Sequence, residues 1–409
     1  MKCSLTTPAA QPFLIALAAL TLLCACQTGS IAAPPEPPST LVVFGDSLSD
    51  QGNMFALARE LTHLEHLHMS SPPASHQGKA FTNQRLAVEY VAEALGATLR
   101  PAWEQTTSST ETADQTPMNA EILDLLAPSS VSSIKNPSSP TSAKASETTI
   151  QFAKLAHHTI KKKYAQVTPV GLNFAVAGAA IANDNSGLRL HIYNAVALDK
   201  QVHAYASRAD HALIKQSMFI FFIGGNDLIN VFSDSQFQTD DDRQRKVASL
   251  PALMIENIQR IRTLGAKHIL IIGPPDISII PTFINTPQAN LARALSQQLQ
   301  HDMEAALNQA FPAQAVLWLP MQSLFAEWLQ AWPAATRNSA CVTDIEAGYY
   351  ELGPLLEREE LAIKFVNGCT QQRLEQQQFP FYDSVHPSEK IHKEFALSML
   401  RKIKEFKPD

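Results

Sequence analysis

Leu41-Val42-Val43-Phe44-Gly45-Asp46-Ser47-Leu48-Ser49-Asp50-Gln51-Gly52-Asn53 decides the fold. Its first four residues are apolar and β-prone, and they stop at Gly45-Asp46. A short apolar run closed by turn residues is the pattern of a strand covered on both faces, as in a parallel sheet. A helical pattern follows over residues 54–67. Open α/β sheets gather ligands beyond the carboxyl ends of their strands, which is where Ser47 falls. Its hydroxyl lies near a helix N-terminus, where backbone N–H groups face any developing anion. A bare Gly-Asp-Ser serves equally as a turn with a helix cap, so the tripeptide alone settles nothing.

Working outward, further strand candidates occur at 171–175, 218–223, 268–272 and 315–319, with helical patterns at 84–95, 246–264, 289–311 and 386–406. Apolar strands alternating with long helices predict an α/β domain over residues 41–406, its mostly parallel sheet flanked by helices on both faces. Residues 104–149 break the rhythm, being dense in Ser, Thr, Pro and Ala. They are too poor in apolar residues to offset their ordering entropy, and are expected to form a flexible insertion.

Hydrophobic residues are 45% of the 409-residue chain and charged residues 17%, enough for a sizeable core. The net charge of −6 lacks the basic bias that a phosphate backbone requires, so nucleic acid is not expected as a partner.

The chain starts with Met1-Lys2 and an apolar run over residues 12–26, about 15 residues long. A bilayer core of ~30 Å needs about 20, so residues 1–26 read as an export signal rather than a span. The run ends Leu23-Cys24-Ala25-Cys26, similar to a bacterial lipobox in which Cys26 would be lipidated. Plain secretion, with cleavage near Ala25 or Ala32-Ala33, is the alternative. Residues 27–40 form a Pro-rich tether in either case. The expected localisation is outside the bacterial cytoplasm, secreted or as a periplasmic or outer-membrane lipoprotein. Three of the five cysteines lie in the leader, leaving Cys341 and Cys369, which are expected to pair in an oxidising compartment.

Three later segments give Ser47 its context. Tyr382-Asp383-Ser384-Val385-His386 offers a base, His386, and an orienting carboxylate, Asp383, which a weak serine nucleophile needs. Asn173-Phe174-Ala175-Val176-Ala177-Gly178 offers a side-chain-free N–H at Gly178, and Gly224-Gly225-Asn226-Asp227 offers the Asn226 amide, both suited to an oxyanion. Taken singly, these are a surface turn, a tight turn and a helix cap.

Together and in this order, the blocks resemble the GDSL/SGNH hydrolase family. Residues Phe81 to Tyr90 and Gly273-Pro274-Pro275-Asp276 extend the resemblance, which covers most of the chain outside the insertion. It implies a three-layer, flavodoxin-like α/β/α sandwich and a serine ester hydrolase needing no cofactor or metal. By that resemblance Ser47 is the nucleophile, His386 the base and Asp383 its orienter. The oxyanion hole comes from Ser47 N–H, Gly178 N–H and Asn226. One departure is Ala177, where the family usually has glycine. The extended Gly-Asp-Ser-Leu-Ser-Asp-Gln-Gly-Asn resembles the secreted bacterial branch of phospholipases and glycerophospholipid:cholesterol acyltransferases. That implies a lipid or other ester as substrate, with acyl transfer to a lipid alcohol as the alternative and association with a membrane surface. A non-catalytic surface-binding lipoprotein is the more distant reading. The branch also contains members with a protease-clipped disulfide loop, which residues 342–368 would match.

Two further signals are discounted. His63, His66 and His68, with His76 nearby, do not share one helix face and predict no metal site. His157-His158 with Lys161-Lys162-Lys163 reads as a solvated helix face, with contact to anionic lipid headgroups as the sharper alternative.

Overall fold

The computed structural model of the chain describes residues 40–62, 80–103, 147–167, 172–184, 186, 193–312, 315–343 and 364–406. The expected leader, with candidate lipidation site Cys26, the tether short of Thr40, the insertion up to 146, most of loop 342–368, and His63, His66, His68 and His76 lie outside them.

Four strands, β1 (Thr40–Gly45), β2 (Ser217–Phe222), β3 (His268–Ile272) and β4 (Leu317–Leu319), form one parallel sheet in the order β1-β2-β3-β4. Register pairs such as Val43 with Ile220, Ile220 with Leu270, and Ile271 with Trp318 fix their alignment. β2 is buried at every residue, and β1 and β3 at all but their first, so apolar runs rather than alternation mark them. Parallel neighbours need crossovers, and helices supply these.

The helices of two turns or more among the described residues are α1 (Asn53–Thr62), α2 (Ala87–Ala94), α3 (Glu147–Ala165), α4 (Leu198–Ala206) and α5 (Gly225–Ser233). They continue with α6 (Asp240–Thr263), α7 (Ala289–Ala310), α8 (Gln322–Leu329) and α9 (Glu389–Lys404). Alternate side chains of β2 take opposite faces. Phe219 packs edge-on against Tyr205 of α4, which also meets Phe44. Phe222 packs edge-on against Phe395 of α9, which Phe325 of α8 also touches. Helices therefore cover both faces, and the sheet is the middle layer of an α/β sandwich, as the alternation of strands and helices predicts.

Several boundaries differ from expectation. The segment predicted as a strand at 171–175 runs beside β1, joined to it by the N–H of Val43 to Leu172, of Phe174 to Val43 and of Val176 to Gly45, but it forms an isolated bridge, Val43 with Asn173, rather than a full strand. The rung between the last two of these bonds is lost because the Gly45 N–H donates to Gln201 Oε1 at 2.9 Å instead of to this segment. β4 loses its first two expected residues because the N–H of Ala315 turns back to the Pro312 carbonyl. The last helix starts at Glu389 rather than at 386: Ser388 is extended at its N-cap, and Pro387 has no N–H to give. The second helix starts at Ala87 because Leu86 is extended and its N–H bonds the Glu89 carboxylate. Residues 147–149 belong to α3 rather than to the insertion.

Candidate active site

The turn that carries Ser47 is built from β1 outward. At its end Gly45 is held from both sides by Gln201 of α4: the Gly45 N–H donates to Oε1 at 2.9 Å, and Nε2 donates to the Gly45 carbonyl at 2.8 Å. Asp46 Oδ1 then accepts the N–H of Leu48, closing a tight turn with Ser47 at its crest. Asp50 ends the turn. Its carboxylate accepts N–H groups from Gly52, Asn53 and Met54 at the start of α1, and from Ala177 in the neighbouring segment. Four donors on one buried carboxylate lock the turn to the helix. Burial still dominates its titration, raising the pKa to about 6 against the opposing pull of those N–H groups.

A pair of asparagines ties this turn to the Gly178 segment. Asn53 Nδ2 donates to the carbonyls of Asn173 and Ala175, both at 2.8 Å, while Asn53 Oδ1 accepts the Trp103 N–H. Asn173 Nδ2 returns bonds to the Ser49 carbonyl and to Gln51 Oε1. Asp227 makes the equivalent tie from α5, accepting the N–H groups of Ile181 and Ala182. Burial pushes its pKa up to about 6 as well.

The loop before α9 brings His386. Asp383 Oδ1 accepts the N–H of Val385 and, at 2.6 Å, of His386, which bends the loop so that Oδ2 meets His386 Nδ1 at 2.7 Å. Across the ring, His386 Nε2 lies 2.7 Å from Ser47 Oγ. The sheet thus joins residues 339 positions apart in the chain. Asp383 and His386 are fully buried and Ser47 is 4% exposed. Phe81 packs its ring 5.0 Å from the imidazole, and Thr282 holds the loop by donating its N–H and hydroxyl to the Ser384 carbonyl. A carboxylate only accepts, so Nδ1 carries the imidazole proton and Nε2 is left to accept the Ser47 hydroxyl.

Asn226 stands in the first turn of α5, which starts after Gly224 with φ +121°, a backbone that side chains other than glycine rarely adopt. Its Nδ2 donates to the Ala179 carbonyl at 2.8 Å, which fixes the amide. Ser47, His386 and Asn226 line a common pocket of ≈ 40 Å³ walled by Ile229, Ile277, Ile280, Val385, Phe325 and Phe395. Gly178 is not among the described residues lining it, although its segment is bonded to Asp50 of the Ser47 turn on one side and to Asp227 on the other.

The holding roles that the sequence left unread are those of Gln201 and Thr282, and of Asn53 and Phe81, which stand in the quoted blocks without a partner assigned. Their partners lie far away in the chain, so no local spacing marks their roles. Cys341 and Cys369 form the disulfide that was expected. The basic stretch of α3 is less solvated than predicted. His157, His158, Lys161 and Lys162 are exposed, but Lys163 is buried and pairs with Glu60 of α1 at 2.6 Å. Among the described residues no group of three or more His, Cys, Asp or Glu is placed to hold a metal ion, and no helix is long and apolar enough to cross a membrane.

A family model described as GDSL-like Lipase/Acylhydrolase matches residues 41–399. Three Arabidopsis thaliana proteins named as GDSL esterase/lipases are similar to the chain. One is 25% identical over 62% of this chain and 56% of its own length. A second is 26% identical over 57% and 68%, and a third 22% identical over 54% and 60%. The chain thus spans less than two thirds of the length of two of these relatives.

Proposed function

The chain belongs to the GDSL-like lipase/acylhydrolase family, and we propose that it is a serine ester hydrolase working through an acyl-enzyme on Ser47. The observation that carries this reading is the unbroken relay from Ser47 Oγ to His386 Nε2, and from Nδ1 to Asp383 Oδ2, each contact 2.7 Å long.

In this mechanism Ser47 Oγ attacks the ester carbonyl carbon as its proton passes to Nε2. Asp383 steadies the imidazolium. The oxyanion is met by the N–H of Ser47 and Gly178 and by the Asn226 amide. Collapse breaks the bond to the leaving alkoxide, which takes the proton from Nε2. Water then repeats the sequence and frees the acid.

The apolar wall beside Ser47 supports an acyl group of lipid character as substrate, in the manner of a phospholipase A, lysophospholipase or lipase. The extended motif from Gly45 to Asn53 supports a place in the secreted bacterial phospholipase and acyltransferase branch. The leader pattern and a disulfide suited to an oxidising compartment support export, with Cys26 as the point of lipid attachment.

The test is hydrolysis of p-nitrophenyl butyrate, followed by a panel of phospholipids, lysophospholipids, triglycerides and acetylated sugars. A fluorophosphonate probe should label the wild type and not Ser47→Ala, and the variant should lose turnover while keeping its far-UV circular dichroism. Full activity in Ser47→Ala would sink the proposal.

A further inference from the structure

We propose that the cleft between α3 and α4 binds an anionic amphiphile, a single negative head on an aliphatic chain, at a site separate from the ester-cleaving pocket. The cleft has a volume of ≈ 410 Å³, against ≈ 40 Å³ beside Ser47.

Its chemistry runs against the composition of the chain. The net charge is −6, yet five basic side chains line this cleft: His157, Lys161, Lys200, His203 and Arg208. Among the described residues no carboxylate lines it. The spacing is helical on both sides. His157 and Lys161 are four apart on α3, and Lys200 and His203 three apart on α4, so each pair shares a face. Arg208 is fixed in place, because its guanidinium donates to the carbonyls of Tyr164 and Ala165 at the end of α3. Lys200 is steadied by Asp199 at 2.7 Å, beside the cleft rather than in its wall.

Beneath this rim the cleft is apolar. Ile160, Ala195 and Ala204 line it and are buried, as is Tyr164, whose hydroxyl has no hydrogen-bond partner among the described residues. A bare inorganic anion would satisfy the rim and leave that floor wet. A head with an aliphatic tail satisfies both. The site also has a route to the nucleophile. Gln201 lies on α4 between Lys200 and His203, and it clamps Gly45 two residues before Ser47.

The test is titration calorimetry of the full chain with decyl phosphate below its micelle concentration. This ligand has no carboxylic ester, so the result does not depend on turnover. Saturable binding of one ligand per chain is expected. The charge reversal Lys161→Glu with Lys200→Glu should weaken it by about tenfold or more, and raised salt should weaken it too. Decanoate tells whether the head is carboxylate or phosphate. Inorganic phosphate and zwitterionic decylphosphocholine should each bind at least about tenfold more weakly than decyl phosphate. Thermal melts show whether the double variant folds, and Lys161→Gln, at an exposed position, gives a smaller loss if it does not. Equal affinity for inorganic and decyl phosphate, or wild-type affinity in the folded charge-reversed protein, would overturn the proposal.

Discussion

The ring of Tyr193 fills the space into which a side chain on Gly178 would point: a Cβ there would lie 2.0 Å from Cε1 and 2.3 Å from Cδ1. Gly178 also has φ +79°, a conformation that costs an L-residue ~1 kcal/mol. Gly178→Ala therefore meets two separate penalties, with the clash adding ~1–3 kcal/mol. Tyr193→Ala removes the clash and leaves the strain. Urea melts around the cycle should show Gly178→Ala costing only ~1 kcal/mol in the Tyr193→Ala background. The same cost in both backgrounds would show that the ring is not the obstacle.

Asp383→Asn tests the relay without emptying the space. The amide oxygen can keep the N–H bonds of Val385 and His386, but its NH₂ then faces Nδ1. The imidazole must turn its lone pair to Nδ1 and its proton to Nε2, where it can no longer accept from Ser47. A fall in kcat of roughly 10⁴-fold is expected, as in other serine–histidine–aspartate enzymes, with KM little changed. Steady-state kinetics on p-nitrophenyl butyrate measure both, and a variant within tenfold of wild type would refute the assignment of Asp383.

Asn226→Ala removes the fixed amide. Loss of an oxyanion donor costs about 10²- to 10³-fold in kcat, with KM largely kept. If KM rises and kcat holds, Asn226 binds the ground state instead.

The core strands and the three side chains that meet in the relay were legible in the sequence for different reasons. β1, β2 and β3 are buried on both faces, and such strands write themselves as apolar runs. Ser47, Asp383 and His386 stand out because each sits in a short block whose residue types suit one chemical task. What escaped was tertiary. Gln201 lies 156 residues from the Gly45 it clamps, and Asn53 about as far from Asn173 and Ala175, at separations of 120 and 122. Nothing local distinguishes such an amide from any other polar residue on a helix. The 171–175 segment differs from its strand pattern for a related reason: it bonds β1 on both sides of a rung that the distant Gln201 takes from it by accepting the Gly45 N–H.

Asp227 gives stability a particular pH dependence. Its pKa rises from 3.8 to about 6 on folding because it is buried. The native state therefore binds this proton more tightly than the unfolded chain. The stability it contributes is full below about pH 4 and is lost as the pH climbs through about 6. The amide introduced by Asp227→Asn carries no charge to bury, so wild type should exceed the variant by more at pH 4 than at pH 7. The change in that difference is up to ~3 kcal/mol. Urea midpoints at the two pH values decide it, and a difference that grows toward pH 7 would contradict a raised pKa.

The disulfide should matter to stability far more than to turnover. Cys341 and Cys369 close a loop of 28 residues, worth roughly 3–4 kcal/mol in the chain-entropy account. In the folded protein the segment has bonds of its own. The Cys341 N–H donates to the carbonyls of Phe381 and Tyr382, and the Val342 N–H donates to Tyr382, next to Asp383. These keep the Asp383 loop in place without the covalent link. The double variant Cys341→Ser with Cys369→Ser should therefore melt at a distinctly lower temperature, yet retain kcat within about twofold well below that melt. Differential scanning calorimetry beside kinetics separates the two. A large loss of kcat in the cold, folded variant would mean that the Asp383 loop depends on the disulfide itself.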